Sequence, residues 1–133
     1  MTETMEINKL AEYLNNVDED WNYILPKTLF DDLKKGTDYF LLDVRRESDY
    51  RQNHIKNAVN IFWLDLLKPE NLKRLPKDRR IVVICYVGHT ASQVMVLLSL
   101  LGYDVRVLKF GMGHSPIKGI PISGWLNMSF DTE

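Results

Sequence analysis

Apolar positions along the chain fall into short runs separated by polar turns, and their spacing switches between two periods. Ile7, Leu10, Ala11, Leu14 and Val17 recur every three or four residues. That spacing predicts an amphipathic helix ending at the Val-Asp-Glu-Asp stretch, with its apolar stripe packed on the rest of the chain. Ile24 and Leu25 predict a short edge strand, Pro26 suits the first turn of a helix that Gly36 closes, and Tyr39–Val44 reads as a strand. Ser48 is placed to cap a short helix through Gln52; Ala58–Ile61 reads as a further strand, and Trp63 with the leucines after it as a short packed helix. Ile81–Ile84 is apolar at every position, the pattern of a strand buried on both faces. Ala91–Leu101 is apolar except for Ser92, Gln93 and Ser99, which predicts a core helix buried on more than one face, capped by Gly102 and followed by a strand over Val105–Leu108. Strands alternating with helices, joined by right-handed crossovers, imply an α/β fold: a parallel sheet of about five strands with helices on both faces, plus an extra N-terminal helix. Residues 1–21 form that helix and an acidic connection, and residues 22–133 form one domain.

Composition narrows the picture. With 133 residues, 45% hydrophobic and 26% charged, the chain suits one well-packed core. A formal net charge of −1 gives no field to attract nucleic acid or an acidic membrane, and no run is long enough to cross a bilayer. Residues 1–33 carry eight acidic and two basic side chains, read as solvated surface. Lys68–Arg80 carries six basic and two acidic, but precedes a strand and therefore belongs to the rim opposite that strand's carboxyl end. No signal-peptide pattern is visible, so the expected location is cytoplasmic. The single cysteine excludes an internal disulfide, a cysteine-rich zinc site and a resolving thiol in this chain, so any sulfur exchange involves another molecule. No cofactor or metal is expected.

That cysteine, Cys85, stands where the Ile81–Ile84 strand ends. Tyr86, Val87, Gly88, His89 and Thr90 make a tight connection, and Ala91 opens the next helix. Sites in open α/β sheets form beyond the carboxyl ends of strands. The unpaired first amides of a helix, its dipole and a curled loop together favour an anion there. Such a place predicts a cysteine that loses its proton easily, against the plainer reading of a small buried hydrophobe. Asp43 and Arg45 end another strand at the same rim, where a surface ion pair would be of little worth. His54 has no partner at metal-ligand spacing and reads as a hydrogen-bonded structural residue.

Four segments, Leu-Leu-Asp-Val-Arg (41–45), His-Ile-Lys-Asn-Ala-Val-Asn-Ile (54–61), Cys-Tyr-Val-Gly-His-Thr-Ala-Ser (85–92) and the stretch from Leu100 to Met112, resemble in order and spacing the rhodanese-like domains. The resemblance implies a sulfurtransferase in which Cys85 carries sulfur as a persulfide, Tyr86, Val87, Gly88, His89, Thr90 and Ala91 form the substrate-binding cradle, and Asp43 and Arg45 brace the loops. It further implies a small sulfane-sulfur donor (persulfide, polysulfide or thiosulfate) and a thiol acceptor, a protein thiol included. Asn53 and Asn57 stand where the family usually has glycine, and asparagine tolerates positive φ well enough to serve. Thr90 stands where many such loops end in arginine. Gly111 and Gly113 turn the chain beside the site, and the segment from His114 to Trp125 departs from the family's compact ending. Two other classes compete. Related phosphatases carry arginine six positions after the cysteine, where this chain has Ala91, and a phosphoryl group requires such a cation. A non-catalytic sulfur-binding or sensing module is the remaining alternative, opposed by the intact Cys85 and Gly88.

Overall fold

The computed structural model describes residues 2–113, 124–126 and 130–133. Five parallel strands form one sheet in the order β1-β5-β4-β2-β3: β1 is Tyr23–Ile24, β2 Phe40–Asp43, β3 Val59–Asn60, β4 Ile81–Ile84 and β5 Val105–Leu108. The helices are α1 (Thr2–Asn15), α2 (Pro26–Lys34), α3 (Glu47–Gln52), α4 (Pro69–Leu72) and α5 (His89–Leu100), with a 3-10 turn at Trp63–Asp65. The expected α/β architecture, with helices on both faces and an extra helix before the first strand, is the one observed.

Every residue of β4 is buried, because successive side chains point to opposite faces and both faces are covered. Ile81 and Val83 join Phe40, Leu42, Val105 and the inner face of α5 in one cluster; Val82 and Ile84 join Leu29 of α2, Leu41, Leu108 and Trp125 in the other. Asp43 lies level with Ile84 of β4 and Asn60 of β3, so the carboxyl ends of three strands share one rim. The basic stretch before β4 lies at the other rim, where Arg79 pairs with Asp38 and Arg80 with Asp104. Among the described residues no helix is long and apolar enough to cross a membrane.

Several local expectations fail for identifiable reasons. The stripe of α1 is not packed: Ile7 and Leu14 are 63% and 70% exposed, and the helix is seated through Tyr13, whose hydroxyl donates to Met95 Sδ at 3.1 Å. A reaching aromatic on one edge does what the aliphatic stripe was expected to do. Only one face of α5 is buried, through Ala91, Val94, Met95 and Leu98, while Val96, Leu97 and Leu101 are exposed; the sheet covers one side of a helix, and apolar residues tolerate the surface. That helix also starts two residues early, at His89, because Gly88 at φ 101° already serves as its N-cap. Ser48 caps nothing: α3 begins after Arg46 and has no side-chain cap of its own. Asn57 does take a positive φ of 70°, whereas Asn53 is extended at −165° and needs no glycine-like freedom. Leu25, expected in β1, is the N-cap of α2. Most of the segment after Gly113, which the sequence marks as unusual, lies outside the described residues.

The turn after β5 meets the rim closely. Met112 N donates to Cys85 O at 2.9 Å and Gly113 N to Tyr86 O at 3.0 Å. A Cβ on Gly111 would stand 2.3 Å from Cys85 O, at a φ of 53°. Gly36 has a comparable φ of 84° with nothing among the described residues within 4 Å of its missing Cβ. Gly36→Ala should therefore cost only the ~1–2 kcal/mol of left-handed strain. Gly111→Ala should cost clearly more, since backbone must move as well. Urea unfolding of both variants checks this; equal losses would mean the 111–113 turn does not press on residue 85.

Candidate active site

Cys85 follows the last residue of β4 and is 1% exposed. Its Sγ accepts the backbone N–H of Gly88 at 3.0 Å and of Ala91 at 3.3 Å. This geometry has a local cause. Four residues lie between β4 and α5, Gly88 reverses the chain at φ 101°, and the first amides of α5, which have no carbonyl to bond within the helix, point back at the sulfur. The positive end of the 12-residue α5 dipole adds to their field. Burial pushes the Cys85 thiol up from its ordinary range; the amides of Ala91, Gly88, Val87 and Thr90 pull it down without cancelling that effect. The expectation of an easily ionised cysteine is thus reversed in the resting site, because the same loop that supplies amides also excludes water.

Around the loop, Asp43 and Arg45 do not form a surface pair. They are 0% and 2% exposed, with Arg45 Nη2 2.8 Å from Asp43 Oδ2 and Nε 3.0 Å from Oδ1. Arg45 Nη2 also donates to Asn53 O at 2.7 Å, and Asn60 Nδ2 donates to the carbonyls of Asp43 and Arg45, each at 3.0 Å. Two buried charges that satisfy each other and their neighbours fix the loop before α3 but leave no free carboxylate or guanidinium for the sulfur. His54 bonds to Tyr50 O through Nδ1 at 2.9 Å and lies 3.0 Å from Glu133 Oε2 through Nε2. No cluster of three or more His, Cys, Asp or Glu side chains able to hold a metal ion occurs among the described residues.

A buried sulfur cradled by loop and helix amides at the head of a parallel strand agrees with the comparison to known proteins: the rhodanese-like domain family matches residues 26–113, about two thirds of the chain. The chain belongs to this family. It is 34% identical over 65 residues to the adenylyltransferase and sulfurtransferase uba4 of Ogataea parapolymorpha, covering 49% of this chain but 16% of that protein. The Arabidopsis thaliana protein HIGH ARSENIC CONTENT 1, mitochondrial, is 29% identical over 90 residues, 60% of this chain and 53% of its own length. The chain thus spans about half or less of these two relatives. The fold is shared with the crystal structure of a rhodanese-related protein from Thermoplasma volcanium, at a TM-score of 0.68 and 24% identity over 85% of this chain and 98% of that one.

Within the rhodanese-like loop the residues singled out from the sequence are brought together. Gly88 and Ala91 donate directly to sulfur; Tyr86, Val87 and Thr90 are half-buried; His89 is exposed. Asp43 and Arg45 stand one strand away. Two participants escape sequence reasoning. Asn60 holds the Asp43–Arg45 turn, and Asp49 accepts the phenol O–H of Tyr86 at 2.5 Å across 37 residues of sequence. Neither belongs to a spacing pattern, so only the three-dimensional arrangement reveals them.

The balance of burial against amides predicts the pH response of the thiol. Because its ionisation is raised, alkylation of Cys85 by iodoacetamide should be slow at neutral pH and keep rising beyond the ordinary thiol range. A rate that reaches its plateau below pH 7 would show that the amides outweigh burial.

Proposed function

We propose that this protein is a sulfurtransferase that moves a sulfane sulfur from a donor to a thiol acceptor through a persulfide on Cys85. The observation that carries this reading is the pair of amide bonds to Cys85 Sγ at the start of α5. Both reach the sulfur on which the persulfide would form, and preorganised dipoles stabilise negative charge that develops there without reorganisation. The named relatives are sulfurtransferases in part: uba4 carries that word in its name, and a Bacillus subtilis protein 29% identical over 80 residues is the putative sulfurtransferase YtwF.

The protonation state of the resting site shapes the chemistry. With an organic persulfide as donor, the Cys85 proton passes to the outer sulfur of the donor, the Cys85 thiolate attacks that sulfur, the S–S bond of the donor breaks, and the departing thiolate takes the proton from the new persulfide: net, Cys–SH + R–S–S⁻ gives Cys–S–S⁻ + R–SH. One negative charge enters and one remains, on the outer sulfur within the amide cradle. An acceptor thiol then takes that sulfur, its proton passing to Cys85 as the S–S bond breaks: Cys–S–S⁻ + R′–SH gives Cys–SH + R′–S–S⁻. Thiosulfate brings two charges into the same small site, where the loop from Tyr86 to Ala91 has no lysine or arginine and Arg45 is engaged by Asp43. Uncompensated desolvation of the second charge disfavours it.

The near-complete burial of Cys85 is the one feature that favours the alternative, a sulfur-binding or sensing module without turnover. Intact mass decides between them. Exposure to an organic persulfide or polysulfide should add one sulfur that a reducing agent removes, Cys85→Ser should abolish it, and a thiol acceptor should turn it over. A sulfur that loads but is never passed on would identify the sensing module; an unchanged mass with every donor would defeat both.

Donor preference gives a second test. Organic persulfide or polysulfide should show a higher kcat/KM than thiosulfate, and Thr90→Arg should shift the ratio toward thiosulfate roughly tenfold or more, the effect of one charged hydrogen bond. Equal efficiency with both donors in the unaltered protein, or no shift in a folded Thr90→Arg variant, would contradict the charge argument.

A further inference from the structure

The loop that curls around Cys85 is short, and its backbone alone does not explain why it holds one shape. Helix α3 supplies a hold from outside. It lacks a side-chain cap, and the phenol oxygen of Tyr86 serves its first turn instead: that oxygen accepts the N–H of Arg46 at 3.3 Å and donates its proton to Asp49 Oδ2 at 2.5 Å. The guanidinium of Arg45, itself fixed by Asp43 and Asn53 O, lies 6.0 Å over the Tyr86 ring. On the other side, the 111–113 turn binds the backbone carbonyls of Cys85 and Tyr86. The residue beside the sulfur is thus gripped between α3 and that turn.

Resting on the sulfurtransferase reading above, we propose that Tyr86 and Asp49 are positioning residues: their hydrogen bond holds the loop in the curl that aims the Gly88 and Ala91 amides at the Cys85 sulfur. Helix α3 does not depend on this bond for its own place. Tyr50 OH donates to Ala58 O at 2.6 Å, and His54 exchanges two backbone hydrogen bonds with Glu133, at 3.1 and 2.7 Å. Losing the bond therefore frees the loop rather than the helix. Burial, and then the Asp49 carboxylate, raise the Tyr86 phenol above its ordinary range, which keeps it a donor at assay pH.

The test uses Tyr86→Phe, Asp49→Ala, Asp49→Asn and the double variant Tyr86→Phe/Asp49→Ala in the full chain. With an organic persulfide as donor, each of the first two should lower kcat about three- to tenfold with little change in KM, as the loss of the partly exposed Tyr86–Asp49 hydrogen bond implies, the long 3.3 Å bond from Arg46 N–H that Tyr86→Phe also removes adding little. Asp49→Asn, which keeps an acceptor, should restore most of the rate. The double variant should be no worse than the more impaired single one, because both remove the same bond. Independently of any activity, hydrogen exchange at residues 86–91 should accelerate in Tyr86→Phe and Asp49→Ala but not in Asp49→Asn, while core amides of β4 keep their protection. Additive losses in the double variant, unchanged exchange at the loop, or acceleration spread over the whole chain would overturn the proposal. If the unaltered protein transfers no sulfur, the exchange pattern still tests the tether alone, so the two readings fail separately.

Discussion

A buried sulfur facing backbone amides, Gly88 at 3.0 Å and Ala91 at 3.3 Å, is the contact on which the rest of the rim depends. The sheet places Cys85 at its rim by burying all of β4, α5 contributes its unpaired first amides, and Gly88 supplies the one backbone conformation that joins them. Gly111 lets the neighbouring turn approach within bonding distance of the Cys85 carbonyl, where any side chain would collide. The buried Asp43–Arg45 pair steadies the adjoining loop, and removing either partner would strand a charge in the interior.

Two physical effects oppose each other at the sulfur. Exclusion of water disfavours a thiolate, and converging amides favour one; in the resting protein exclusion wins. On the sulfurtransferase reading proposed above, that outcome suits a site that accepts a charge with its substrate rather than one that keeps a charge waiting. Six residues after Cys85 stands Ala91, which offers only its amide, so this position supplies no guanidinium to a phosphoryl group.

Much of this was legible in the sequence, for reasons of period and punctuation. The unbroken apolar run of β4, the single cysteine at its end and the glycine three residues later sufficed to place strand, loop and helix, because each follows from local sterics and burial. What was not legible involves groups distant in the chain or competition between effects. Tyr86 reaching Asp49, Asn60 holding the carbonyls of Asp43 and Arg45, and the full burial of the Asp43–Arg45 pair are tertiary facts with no sequence period. The aliphatic stripe of α1 was misleading because amphipathic spacing reports that a helix can pack, not which edge does. The sign of the Cys85 shift was misjudged because spacing reveals the amides but not the depth of burial.

Gly88→Ala tests the central claim most directly. Among the described residues the added Cβ would meet only Phe110 N at 3.5 Å and Leu108 O at 3.9 Å, both ordinary contacts, but φ 101° is not a conformation alanine holds without strain. The variant should fold, with the loop relaxed and the amides turned from the sulfur. After exposure to an organic persulfide, its intact mass should show little or no added sulfur under conditions that load the unaltered protein fully. A folded Gly88→Ala protein that loads to the same extent would contradict the account, since sulfur would then be held without the cradle.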